Sequence, residues 1–176
     1  AYRLSAKRTL DPGAPITNYL PAYANARLEN GDLLNRPPTT IELLSHTGGT
    51  RLAEKKLGRP WFASWTRGLR LDEVVNNYIE KIPFESPPGT KFAYSGIGTD
   101  IAAGVIEAAA GIPRNQLLLD EVAIPLGMNH TRFRDAAAVD AIPPLPTRYY
   151  CGKNGKLLVY QGLPVPPINT YSSSGG

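Results

Sequence analysis

The sequence predicts a mainly α-helical chain with long loops and one small β-hairpin. Three observations carry that expectation. Apolar residues recur at three- and four-residue spacing around Val75-Tyr78-Ile79-Ile82, and an Ala-rich stretch runs from Gly98 to Ala110. The 176 residues include 17 Gly and 17 Pro, which gives irregular connections an unusually large share of the length. Two β-prone runs, Thr147 to Cys151 and Leu157 to Tyr160, flank Gly152-Lys153-Asn154-Gly155-Lys156 as strands flank a turn. A chain of this size holds one domain, or part of one.

The elements follow in order. Ala1 to Leu10 reads as the tail of a helix, stopped by Asp11-Pro12-Gly13 and lacking an N-cap before Tyr2, so its head is expected upstream. Pro15 to Leu20 suits one helical turn, and Pro21 to Pro38 reads as loop. Thr39 or Thr40 caps a short buried helix over Ile41-Glu42-Leu43-Leu44, with Gly48-Gly49 as its stop. Thr50 to Leu71 lacks clear periodicity, although Trp61, Phe62 and Trp65 should anchor it to a core or line a pocket. Asp72 is a good N-cap for a helix over 73–81. Glu85 to Phe92 is a proline-bearing loop. The helix over Gly98 to Ala110 ends at Gly111-Ile112-Pro113, and another over Arg114 to Val122 turns Leu117, Leu118 and Val122 inward before Ile124-Pro125-Leu126-Gly127. Gly162 to Gly176 is rich in Pro, Ser and Gly, and this end too reads as open.

Composition excludes several functions. The net charge of +4 comes from Lys and Arg scattered among acids, with no basic stripe to neutralise a phosphate backbone, so no nucleic-acid partner is expected. Cys151 is the single cysteine, which rules out an intrachain disulfide and a Cys-based metal cluster. His46 and His130, the only histidines, have no second ligand at useful spacing, so neither a metal nor another cofactor is expected. No apolar run is long enough to span a bilayer. Gly96-Ile97-Gly98 lacks the remainder of a phosphate loop, and no Gly-x-Ser-x-Gly elbow occurs.

What remains is Phe92-Ala93-Tyr94-Ser95-Gly96, a tyrosine between a Pro-Gly loop and a long helix. Such a tyrosine ordinarily packs in a core with its hydroxyl bonded to backbone. Four blocks, in one order along nearly the whole chain, change the reading. They are Leu10-Asp11-Pro12-Gly13-Ala14-Pro15-Ile16 with Tyr19-Leu20-Pro21; Ile41-Glu42-Leu43-Leu44-Ser45-His46-Thr47-Gly48-Gly49; Pro87-Pro88-Gly89-Thr90-Lys91-Phe92-Ala93-Tyr94-Ser95; and Pro125-Leu126-Gly127-Met128-Asn129-His130-Thr131-Arg132-Phe133. Together they resemble the serine β-lactamase-like family of class C β-lactamases, D-alanyl-D-alanine carboxypeptidases and related esterases.

The resemblance implies the helical subdomain of the β-lactamase/transpeptidase-like α/β fold, lacking most of the sheet, with residues 1–176 as a single partial domain. It implies acyl-enzyme hydrolysis of an ester, a β-lactam or a D-alanyl peptide, in a periplasmic or secreted setting. In that family a Ser-x-x-Lys serine is acylated, a tyrosine serves as general base, and a Lys-Thr-Gly strand binds the substrate carboxylate. Tyr94 matches the tyrosine. Ser95, Gly96 and Trp61 are the implied substrate contacts, and His46 is implied as a structural residue bracing the loop beneath the site. Two departures matter. Gly96 stands where lactamases and peptidases usually carry Asn, which brings Tyr94-Ser95-Gly96 nearer to the esterases. Neither Ser-x-x-Lys nor a Lys-Thr-Gly triplet occurs, so the nucleophile is expected outside the chain and the isolated chain is expected to be inactive. The alternative is a non-catalytic binding module that retains only the helical subdomain.

Overall fold

The computed structural model describes residues 1–50, 71–131, 147 and 149–159. Among them the protein is mostly helical, with a two-stranded antiparallel sheet. Helix α1 is Tyr2–Ala6, and 3-10 turns at Ile16–Asn18 and Pro21–Asn25 follow. Helix α2 is Thr40–Leu44, α3 is Leu71–Lys81, α4 is Gly96–Ala110 and α5 is Arg114–Leu118, which runs into a π-helical turn at Leu119–Ala123.

Local chemistry explains where the helices start and stop. Thr39 caps α2 by accepting the Glu42 N–H, and the Glu42 carboxylate accepts the Thr39 N–H in return. Arg36 pairs with the same carboxylate and also donates to the Pro88 carbonyl at 3.1 Å, which fastens the loop ahead of Tyr94 to the start of α2. Ser95 caps α4, which therefore starts at Gly96, two residues before its apolar pattern suggests. Gly111 ends α4 in the left-handed conformation at φ +68°.

The core forms where α3 and α4 pack together. Val74, Val75 and Tyr78 of α3 and Ile97, Ile101 and Val105 of α4 are buried with Leu10, Ile16, Tyr23 and Leu43 from the preceding segments. Gly104 permits the close approach, since a Cβ there would lie 3.2 Å from both methyl groups of Val75. Two buried phenols are tied down: Tyr23 donates to the Val75 carbonyl at 2.8 Å and Tyr78 to Asp100 at 3.2 Å.

Several expectations are corrected. Helix α2 buries Leu43, while Ile41 and Leu44 are exposed, because a single helical turn presents only one side to α4. Asp72 lies inside the first turn of α3, which begins at Leu71. The helix expected to Val122 stays α-helical only to Leu118, and of its three expected inward residues Leu117 alone is fully buried. The loop read over Pro21 to Pro38 contains a 3-10 turn with Pro at its head. The expected hairpin forms from β1, Tyr149–Cys151, and β2, Leu157–Val159, with Tyr150 opposite Leu158. All six strand residues are exposed, so the ribbon is apolar and uncovered on both faces.

Candidate active site around Tyr94

Residues Lys91 to Ser95 form an extended segment leading into α4. Side chains alternate along extended backbone. Ala93 and Ser95 accordingly point inward and are buried, whereas Phe92 and Tyr94 point outward with 71% and 55% of their surface exposed. The segment is held from α2, whose end leads to His46 at φ +59°. That left-handed turn brings the His46 carbonyl to the Ala93 N–H at 2.8 Å and its Nδ1 to the Ser95 N–H at 3.3 Å. The imidazole ring lies 4.5 Å from the Tyr94 ring at 44°, and 6.0 Å from Phe92 in an edge-to-face arrangement.

The Tyr94 hydroxyl makes no hydrogen bond to any described residue. The packed-phenol arrangement instead describes Tyr23 and Tyr78, and the Tyr19 oxygen likewise accepts the Asp11 N–H at 2.8 Å. Burial, with Asp100 nearby, pushes the Tyr23 phenol well above its ordinary range, so it is locked in the neutral form. Of these four tyrosines, Tyr94 is the one whose oxygen is open to a reactant.

Ser95 is 1% exposed. Its hydroxyl oxygen accepts the Gly98 N–H at 3.1 Å and the Thr50 hydroxyl at 2.9 Å. This side chain caps α4 and is tied to Thr50. Gly96, the first residue of α4, is partly exposed beside Tyr94. Trp61 lies outside the described residues, as do Phe62 and Trp65. His46 lies behind the Tyr94 segment, where it accepts the N–H groups of Ala93 and Ser95, the residues on either side of the tyrosine.

Two neighbours were not singled out by the sequence reading. Phe92 shares the outward face of Tyr94, which the i, i+2 spacing of an extended segment could have revealed. Thr50 secures Ser95 from 45 residues away, and no local pattern announces such a contact. Nearby charges are internally matched: Lys91 pairs with Glu85 at 3.0 Å and Arg36 with Glu42. Among the described residues no serine hydroxyl is hydrogen-bonded to a lysine.

A separate groove of about 380 Å³ runs between α1, α4 and α5, floored by Tyr2, Leu44, Ala103, Ile106, Leu118 and Val122. Arg3 and Glu121, which pair with each other, also line it, and Lys7 bonds the same Glu121 carboxylate. No described helix is long and apolar enough to cross a membrane.

The beta-lactamase family model matches residues 1–156. The D-alanyl-D-alanine-carboxypeptidase/endopeptidase AmpH of Escherichia coli strain K12 is 29% identical over 135 residues, covering 74% of this chain and 32% of that protein. Esterase EstB of Burkholderia gladioli is 31% identical over 173 residues, covering 93% of this chain and 41% of the esterase. Among solved structures, EstCE1, a hydrolase with promiscuous acyltransferase activity, superposes with a TM-score of 0.67 at 25% identity, over 89% of this chain and 40% of EstCE1. The chain thus spans well under half the length of each of these relatives.

Proposed function

Because the chain belongs to the beta-lactamase family, we propose that it is the helical portion of a serine hydrolase in which Tyr94 is the general base. The observation that carries this reading is the Tyr94 hydroxyl, exposed and without a described partner while its ring and both flanking amides are held by His46. A phenol with an ordinary pKa near 10 needs a neighbouring cation to give up its proton at neutral pH. Lys91 is taken by Glu85, so the cation in this proposal is the lysine of a Ser-x-x-Lys motif on a segment outside the 176 residues. Residues 1–176 form one partial domain, the helical subdomain of the larger α/β fold, and the groove beside α1 and α4 receives part of the remainder.

The substrate in this reading is a carboxylic ester, a β-lactam or a D-alanyl peptide. The serine oxygen attacks the carbonyl carbon as Tyr94 takes its proton, the alcohol or amine leaves with a proton returned, and water releases the acyl group. Gly96 beside Tyr94 favours the ester, since it has no side chain to grip a substrate amide. A periplasmic or secreted setting accompanies the peptide alternative. The groove also supports a second reading, a binding module without catalysis, because its apolar floor could hold a partner.

The test uses the protein at the length of its relatives, from the same coding sequence. Tyr94→Phe should lower kcat/KM for a p-nitrophenyl ester by about 10²–10⁴-fold, the range of general acid–base catalysis. Unchanged turnover would remove Tyr94 from the mechanism. Absence of Ser-x-x-Lys from that longer sequence would favour the binding module.

A further inference from the structure

Resting on the reading of Tyr94 as the proton acceptor, we propose that His46 is a positioning residue for that tyrosine, working as a neutral imidazole with its proton on Nε2. Three contacts converge on it. Its carbonyl accepts the Ala93 N–H, its Nδ1 accepts the Ser95 N–H, and its ring lies 4.5 Å from the Tyr94 ring. Ala93 and Ser95 flank Tyr94, so one histidine holds the N–H of the residue before it and of the residue after it, the latter in the Tyr94–Ser95 peptide. It thereby helps set the direction in which the phenol leaves the backbone.

The tautomer follows from the bond. A ring nitrogen that accepts a hydrogen bond carries no proton, so Nδ1 is bare and a neutral ring must be protonated at Nε2. A doubly protonated ring would set Nδ1–H against the Ser95 N–H and break the brace. The backbone supplies an independent sign. His46 holds φ +59°, a left-handed conformation uncommon in non-glycine residues. This turn is what lets carbonyl and side chain reach the same extended segment together.

The role requires an acceptor, which other residues supply to different degrees. Phenylalanine would fill the space yet take no hydrogen bond from Ser95. Asparagine tolerates the left-handed conformation better than most residues and can accept through Oδ1. Alanine does neither.

Long-range proton–nitrogen NMR of the 176-residue chain reads the tautomer directly under mildly alkaline conditions. Nδ1 is expected as the unprotonated nitrogen and Nε2 as the protonated one; the opposite tautomer overturns the proposal. His46→Ala and His46→Phe should move the Ser95 amide resonance to an unbonded position and shift the Tyr94 ring signals. His46→Asn should retain the bonded Ser95 amide shift, and loss of that shift to the same extent as in His46→Ala overturns the acceptor role. In the complete enzyme His46→Ala should lower kcat by about 10²-fold with KM little changed, as misplacement of a reacting group does. His46→Asn should recover most of that loss, whereas a merely structural histidine would lower the active fraction without this pattern of rescue. Full turnover in Tyr94→Phe would sink the general-base reading alone, leaving the tautomer and the Ser95 amide shift to judge the brace.

Discussion

Glu42 joins three parts of the chain through one carboxylate. The Arg36 guanidinium, then the Thr39 N–H and hydroxyl, hold its pKa below the ordinary carboxylate value against the opposing effect of burial. A carboxylate whose folded pKa is depressed contributes stability that is complete above its unfolded pKa, about 4.3, and disappears as pH falls through the folded value. Glu42→Gln should therefore flatten the acid side of the stability profile, read as the urea midpoint between roughly pH 6 and pH 3. Thr39→Ala should cost about 1 kcal/mol at neutral pH through loss of the cap. Gly49 is less forgiving. Its φ is +81°, and a Cβ would fall 2.1 Å from the Ser86 carbonyl oxygen, which moves only with the backbone joining residue 49 to the loop before Tyr94. Gly49→Ala should destabilise by about 3 kcal/mol or more in a urea titration, from strain and overlap together.

Helices α3 and α4 meet closely at Gly104 and Val75. Gly104→Leu should destabilise by about 1–3 kcal/mol by forcing them apart. Gly104→Ala should lie nearer neutral, since improved helix propensity of up to about 1 kcal/mol opposes a contact that is only slightly tight; thermal unfolding of the pair separates the effects. The same two helices were the most legible elements, because periodicity marks a helix long enough to repeat its pattern. Helix α2 is too short for that: its capping box could be read, but not the exposure of Ile41 and Leu44, which depends on what faces them. The helical run from Arg114 to Val122 was legible, but nothing local distinguishes the π-helical turn at Leu119–Ala123 from continued α-helix. Around the site, the family motifs made Tyr94 and His46 legible as candidates. The contacts of His46 with both flanking amides, and of Thr50 with Ser95, belong to tertiary structure. Ser95 is legible as a motif residue, whereas its work as the cap of α4 depends on where that helix begins.

At the scale of the whole molecule, the chain carries a candidate base whose partners are not among the described residues. The 176-residue protein should form no acyl adduct with a penicillin by intact mass and show no burst with a p-nitrophenyl ester; an adduct on any of its serines would contradict placement of the nucleophile elsewhere. The hairpin has a consequence of another kind. Among the described residues β1 and β2 pair only with each other, and Leu157, Leu158 and Val159 give β2 an apolar surface with no charge inside the strand. Another molecule can continue the ladder there, strand upon strand, with Lys153 and Lys156 at the turn to oppose it. Stored at high concentration, the protein should assemble through this ribbon while its helices remain folded, giving thioflavin fluorescence that rises with time and is suppressed by Leu158→Lys.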